Sequence, residues 1–281
     1  MSGPYNRAGA FGRTKVHMTN RDFAEKVVVI TGASGGVGAA VAEELAQRGA
    51  SVVLAARREG PLGDVAARCG SQALAVIADV TKRGDVQRIF DQAVARFGRV
   101  DVWINNVGRG IGRNLLDITD DDVDAMMRDN LKSVLYGMQV VAPHLMARGN
   151  GAIVNVSSLL GRTPLPPRAA YAASKAAMMS LSEAFRMQLA GTHPDVRVVV
   201  VYPGRIATDF GLNALGERTS DPGKLPAEVL AAVGGATQSA AEVAHVVCDA
   251  ALTAHGDVYT QPNAWVSVRA YMDKQVDGGA K

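Results

Sequence analysis

Cysteine is scarce. Cys69 and Cys248 are the only two in 281 residues, and they stand far apart without the spacing of a metal or redox pair. A disulfide scaffold and a zinc module are excluded, and both residues read as reduced, buried thiols of a cytoplasmic protein. Histidine is equally uninformative: His17, His144, His193, His245 and His255 form no HExxH or other paired spacing, so no metal site is expected. No apolar run approaches the roughly 18 residues of a membrane span, and the first twenty residues hold no apolar block of signal-peptide length. Charge of one sign is lacking as well. Thirty basic against 27 acidic residues leave a net charge of +3. The basic residues are scattered, with Arg57-Arg58 the densest pair, which excludes the basic stripe of a nucleic-acid binder.

What the chain has in excess is glycine, 30 residues, about 11% where roughly 7% is usual. No Gly-X-Y period exists, so the excess belongs to turns and to places where the backbone approaches something closely. With 48% hydrophobic and 20% charged residues, the chain is long enough to bury a large core in a single domain.

From residue 25 onward, short β-branched runs alternate with longer amphipathic stretches. Segments 26–31, 51–56, 74–79, 100–105, 152–157 and 196–202 read as strands, and their near-continuous apolar character suits burial on both faces. Helices are expected over 37–48, 85–97, 120–148 and 168–190, then over 239–253 before a short strand near 256–260. The alternation predicts an α/β fold: a single-domain, Rossmann-type doubly wound parallel sheet of about seven strands with helices on both faces. Residues 211–238, rich in Gly, Ala and Pro, break the rhythm, and a lid over about 207–238 is expected after the sixth strand. The expected division is an N-terminal arm (1–24), the domain (25–262) and a C-terminal extension (263–281).

Immediately after the first strand stands Thr31-Gly32-Ala33-Ser34-Gly35-Gly36-Val37-Gly38, leading into a helix. Gly32 allows a tight turn, Gly36 close approach to a pyrophosphate, and Gly38 close helix–strand packing; the helix N-terminus offers free N–H groups to phosphate. Strand before and helix after distinguish this loop from a bare glycine-rich turn. No Gly-Lys-Ser/Thr follows, so a P-loop is disfavoured. An NAD site places a carboxylate at the end of the second strand for the ribose 2′-OH. Here the chain reads Ala56-Arg57-Arg58, and two guanidiniums suit a 2′-phosphate, which favours NADP(H) over NAD(H). The bland alternative is a pair of solvated surface arginines.

Tyr171 and Lys175 lie four apart near the start of a long helical pattern, so phenol and ammonium can point at one place. A cation nearby favours phenolate and brings the tyrosine toward its working range. Ser158 follows the fifth strand and could hydrogen-bond a substrate oxygen beside the phenol, with Ser157 as its competitor.

Taken in order, these motifs resemble the short-chain dehydrogenase/reductase family from about residue 26 to 259. TGxxxGxG appears at 31–38 and the family's aspartate at Asp79-Val80. NNAG appears as Asn105-Asn106-Val107-Gly108, and the helix asparagine as Asn130. The Ser–Tyr–Lys set is Ser158, Tyr171 and Lys175, and the Pro-Gly turn is Pro203-Gly204. The resemblance implies that Tyr171 is the general acid and base, that Ser158 polarises the carbonyl, and that Lys175 lowers the tyrosine pKa and holds the nicotinamide ribose. Asn130 would anchor a water of the proton relay. It further implies that Asp79 and Val80 flank the adenine, that Asn105 and Gly108 lie on the adenosine side, and that Pro203, Gly204, Ile206 and Thr208 border the nicotinamide. The family typically reduces a carbonyl or oxidises a secondary alcohol. The expected substrate is a small carbonyl or alcohol, apolar in view of Leu159, Leu160, the proline-rich 163–167 and the lid around 210–230; 3-oxoacyl groups and steroid-like ketones are alternatives. A catalytically idle dinucleotide-binding regulator is the rival from another class. A homodimer or homotetramer is expected, and the arginine- and lysine-bearing C-terminal stretch departs from the family's usual glycine-rich tail.

Overall fold

A computed structural model describes residues 22–208, 210–211, 214–216 and 236–277. Seven parallel strands form one sheet in the order β3-β2-β1-β4-β6-β7-β9. They are β1 (Val27–Thr31), β2 (Ser51–Ala56), β3 (Ala73–Ile77), β4 (Val102–Asn105), β6 (Gly151–Val156), β7 (Val196–Tyr202) and β9 (Gly256–Tyr259). A separate two-residue strand, β5 (Ile111–Gly112), pairs in parallel with β8 (Leu215–Gly216). The helices are α1 (Gly36–Gln47), α2 (Glu59–Cys69), α3 (Arg83–Phe97), α4 (Asp120–Met127), α5 (Ser133–Arg148), α6 (Ala169–Leu189), α7 (Ala240–Thr253) and α8 (Ala264–Asp277).

Alternation along the strands divides the core. Val28 and Ile30 of β1, Val52 and Leu54 of β2, and Val154 of β6 join α1 and α7 on one face. Val27, Val29, Val53 and Ile153 face the opposite way, toward α3, α5 and α6. Strands so covered have no solvent face, which is why their sequences read as unbroken apolar runs. The strand order reverses between β1 and β4, and the crevice at their carboxyl ends is where such sheets receive ligands.

The helix expected over 120–148 is broken. A π-helical turn, Arg128–Lys132, separates α4 from α5 and carries Asn130. A single five-residue turn is too short to show a period of its own inside a window of helical length, so the pattern along the chain does not mark it. The segment 217–235 of the expected lid lies outside the described residues, as do residues 1–21 of the expected arm. The flanks of the segment 217–235 meet: Ile206 bridges Gln238, and Gln238 Nε2 donates to the Thr260 carbonyl at 3.1 Å. At the other terminus Phe23 is fully buried in the α1 and α7 face of the core. Among the described residues no helix is long and apolar enough to cross a membrane. Cys248 is buried and Cys69 half-buried, both as free thiols.

Candidate active site

The loop after β1 is shaped by three constraints. Gly32 and Gly36 hold φ of +71° and +55°, a region that costs any side chain strain. A Cβ on Gly38 would lie 2.3 Å from the Gly32 carbonyl oxygen and 2.6 Å from Asn106 Nδ2, so α1 packs closer to the loop than any other residue allows. Asn106 closes the turn: its N–H donates to Thr31 Oγ1 at 3.0 Å and its Nδ2 to the Thr31 carbonyl at 3.1 Å. No side chain among the described residues caps α1, and its first turn holds no acid. By contrast, α4 and α7 carry full capping boxes, on Thr119 with Asp122 and on Ser239 with Glu242. The N–H groups and positive dipole of α1 are therefore left for an anion.

Arg57 and Arg58 follow β2 directly and are exposed. Arg58 reaches the loop, donating through Nη2 to Ser34 Oγ at 3.2 Å, beside Gly35. Thr208 arrives from beyond β7, its methyl 3.7 Å from where a Cβ of Gly36 would stand. Pro203, Gly204 and Ile206 precede it in the same segment. Val80 is buried, and Asp79 is held in a turn by Thr81, whose N–H and hydroxyl donate to its Oδ1 at 3.0 and 2.8 Å.

The second half of the site is built by β6, the π turn and α6. Ser158 leaves β6, its Oγ accepts from Leu160 N–H at 3.2 Å to cap a 3-10 turn, and its hydroxyl is near enough to the Tyr171 phenol to favour the ionised form. Tyr171 sits in the first turn of α6, and Lys175 Nζ lies 5.8 Å from its ring centroid. That ammonium donates to the Val156 carbonyl at 3.0 Å. A Cβ on Gly108 would stand 3.2 Å from Lys175 Nζ and 3.5 Å from Asn130 Oδ1, so the three residues converge. Asn130 is fully buried: Oδ1 accepts from Arg109 N–H at 2.8 Å, while Nδ2 donates to the Arg109 carbonyl and to Ser174 Oγ, both at 2.9 Å.

The electrostatics differ from the simple expectation. Burial pushes the Tyr171 phenol up to about 12, against the lowering effect of the Ser158 hydrogen bond and of Arg168. Burial also pushes the Lys175 ammonium down, to about 8. Desolvation outweighs the cation expected to acidify the phenol, because both groups are enclosed by the same apolar walls.

The side chain of Asn105 points inward. Its Oδ1 accepts from Trp103 Nε1 at 2.8 Å and its Nδ2 donates to Asn155 Oδ1 at 2.9 Å, and Asn155 Nδ2 donates to Ser182 Oγ at 2.8 Å. This ladder joins β4, β6 and α6 beneath the site. Asn106, its neighbour, quoted in the motif without a role, is the residue that shapes the loop, and Phe210 opens the segment 210–230 expected to wall the pocket. Phe210 packs edge-on against Tyr171 with ring centroids 5.9 Å apart, over the backbone of Gly108 and Gly110. With Ile111, Met126, Leu160 and Leu215 it gives Tyr171 an apolar surround. Among the described residues no cluster of three or more His, Cys, Asp or Glu could hold a metal ion.

The chain is similar to known proteins over most of its length. The family model for short chain dehydrogenase matches residues 26–217. An uncharacterised oxidoreductase of Staphylococcus epidermidis is 34% identical over 193 residues, covering 66% of this chain and 83% of that one. An 11-beta-hydroxysteroid dehydrogenase-like protein of Arabidopsis thaliana is 40% identical over 186 residues, covering 64% and 61%. A short chain dehydrogenase/reductase from Burkholderia phymatum, solved in complex with NAD, superimposes with a TM-score of 0.79 at 28% identity, over 90% of this chain and 94% of that one.

Proposed function

The chain belongs to the short-chain dehydrogenase family, and from that premise we propose that it is an NADP(H)-dependent oxidoreductase interconverting an apolar ketone or aldehyde and its alcohol. The observation that carries this reading is the meeting of Ser158, Tyr171 and Lys175 at the carboxyl end of β6, beside a glycine loop whose neighbours leave room for backbone alone. Residues 31–38 would hold the pyrophosphate on the uncapped end of α1, with Arg57 and Arg58 on a 2′-phosphate. Val80 and Asp79 would lie by the adenine, and Pro203, Gly204, Ile206 and Thr208 by the nicotinamide. The bound nicotinamide supplies or accepts the hydride.

The chain's own residues manage the proton. A phenol pushed up to about 12 is fully protonated at neutral pH, which loads Tyr171 as the acid for carbonyl reduction. Ser158, beside that phenol, would orient the carbonyl oxygen toward it. Lys175, pushed down to about 8, can release a proton near neutrality and so refill the tyrosine. Asn130 has its side chain committed to Arg109 and Ser174, so its part is to hold the floor of the site, and any water would sit on its main chain. The wall of Ile111, Leu160, Leu215 and Phe210 favours an apolar ketone, steroid-like or 3-oxoacyl in bulk.

The test is Tyr171→Phe, assayed with a ketone and alcohol panel by NADPH fluorescence. Turnover falls at least about a thousandfold, consistent with loss of the proton donor, while NADPH affinity stays within about twofold. Retained turnover would sink the role of Tyr171. NADPH binding by the unaltered protein without turnover of any substrate would instead favour an idle dinucleotide-binding regulator.

A further inference from the structure

The C-terminal helix α8 carries none of the residues placed in the site, yet it is joined to the turn that Ser158 caps. Its docking face is narrow. Among the described residues of α8, Ala264 and Val268 are the buried ones, each 1% exposed and about one helical turn apart. They enter an apolar cluster of their own with Val200 and Tyr202 of β7 and with Leu159, the residue after Ser158. Leu159 opens the 3-10 turn Leu159–Gly161, which has Ser158 as its N-cap and Arg162 as its C-cap.

A second line of contacts reaches the other end of the same turn. Trp265 of α8 packs on Tyr259 with ring centroids 5.8 Å apart, and Tyr259 stacks on Tyr202 at 5.0 Å with 19° between the planes. The Arg162 guanidinium lies over the Tyr202 ring, 5.1 Å from its centroid, and donates through Nη2 to its hydroxyl at 3.2 Å. The aliphatic contacts of α8 thus bear on Leu159, and its stacked rings bear on Arg162. The turn between them has little strength of its own, since 3-10 hydrogen bonds are poorly aligned. The Ser158 carbonyl accepts from Gly161 N–H at 3.0 Å, its Oγ accepts from Leu160 N–H at 3.2 Å, and Leu159 N–H ties the turn to the Pro203 carbonyl at 2.9 Å.

We propose that α8 positions Ser158: Val268 and Trp265 are positioning residues that clamp the two ends of the Leu159–Gly161 turn and so fix the serine Oγ at the carboxyl end of β6. The consequence for turnover rests on the reading of Ser158 as the group that orients the carbonyl; the clamp itself does not. Chemistry at that oxygen is sensitive to placement, since a shift of about 1 Å can cost on the order of a hundredfold in rate. A helix that merely covers the β7 and β9 edge of the sheet would stabilise the fold without setting the position of any one side chain.

The Leu160 amide reports the clamp directly, because it donates to Ser158 Oγ. Amide hydrogen exchange is followed by NMR in the full chain and in Val268→Ala, Trp265→Ala and Ser158→Ala. Leu160 exchanges about tenfold faster in Val268→Ala and roughly threefold faster in Trp265→Ala, toward its rate in Ser158→Ala, where the acceptor is gone. The Asn106 amide, held by Thr31 in the glycine loop, keeps its rate and reports an intact fold. Trp265 is 46% exposed, so its variant folds even where the cavity left by Val268→Ala is not tolerated. In ketone reduction, Val268→Ala lowers kcat roughly threefold to thirtyfold, while NADPH affinity stays within about twofold. In the Ser158→Ala background the same substitution changes kcat by less than about twofold, because the group it positions is already missing. Unchanged Leu160 exchange in both α8 variants overturns the proposal, as does an equal loss of kcat in the two backgrounds, which is what a merely structural role gives. If Ser158→Ala alone turns over at the parent rate, the catalytic reading of Ser158 fails while the exchange rates still decide the clamp.

Discussion

Arg57 and Arg58 stand where a carboxylate would bind the ribose hydroxyl of an unphosphorylated dinucleotide. Arg58 already lies on the glycine loop through Ser34, so little ordering is needed for it to meet a phosphate there. Charge-assisted bonds of this kind contribute about 1.5–3 kcal/mol, so Arg58→Ala weakens NADPH binding by roughly tenfold to a hundredfold. NADH, which lacks the phosphate, loses little. Dissociation constants for both cofactors check this, and an unchanged NADPH-to-NADH ratio in Arg58→Ala and Arg57→Ala would return the arginines to the solvated surface. At this scale the sequence is legible where chemistry is local: the glycines, Ser158, Tyr171 and Lys175 announce themselves by spacing. Partners set by the fold do not. Asn106 reaches Thr31 across 75 positions, and Gly137 is a glycine because a Cβ there would stand 2.2 Å from Asn105 Oδ1. Neither relation has a signature along the chain. The depth of burial that raises Tyr171 and lowers Lys175 is likewise a property of the walls and not of the motif.

Among the elements, β1, β2, β4, β6 and β7 were readable because burial on both faces leaves unbroken apolar runs. The π turn at Arg128–Lys132 and the paired β5 and β8 were not, since a two-residue strand has no period to detect. Yet that small pair decides how the site is roofed. Leu215 N–H donates to the Gly110 carbonyl at 2.9 Å, and Phe210 rests on Gly110 so closely that a Cβ there would lie 2.9 Å from its Cε1. Gly110→Ala therefore lifts Phe210 off Tyr171, and Phe210→Ala removes the ring. An edge-to-face pair contributes about 0.5–1.5 kcal/mol, so each change lowers kcat/KM for an aromatic ketone by roughly twofold to tenfold. Once the ring is gone, the nearest remaining contact of a methyl on Gly110 is Ala214 Cβ at 3.6 Å, an ordinary distance. The double variant is accordingly no worse than Phe210→Ala alone. Additive losses in steady-state kinetics would show that the two residues act separately.

Across the whole molecule, function and fastening occupy opposite ends of the sheet. The carboxyl ends of β1, β4, β6 and β7 carry the site, whereas the far end is bound by Arg48. Its guanidinium pairs with Asp22 at 2.6 Å, Asp249 at 2.8 Å and Glu44 at 3.1 Å, joining the segment before β1 to α1 and α7. The hydrogen bond from Arg48 holds the Asp22 carboxyl below its ordinary value. A carboxylate depressed in the folded state adds stability that is present above its unfolded pKa of about 3.9 and is lost as pH falls through the folded value. Asp22→Asn therefore lowers unfolding free energy at pH 7 by about 1–2 kcal/mol. The gap between the variant and the unaltered protein closes as pH falls through the depressed folded value of Asp22, below which the carboxyl is protonated in both folded and unfolded chains. Urea unfolding at a series of pH values measures it, with NADPH affinity at pH 7 as the companion reading. Because the network touches none of the residues around the glycine loop or Tyr171, affinity stays at the parent value. A gap that persists at low pH would show that Asp22 acts through packing, and a parallel loss of NADPH affinity would show that the two ends of the sheet are coupled.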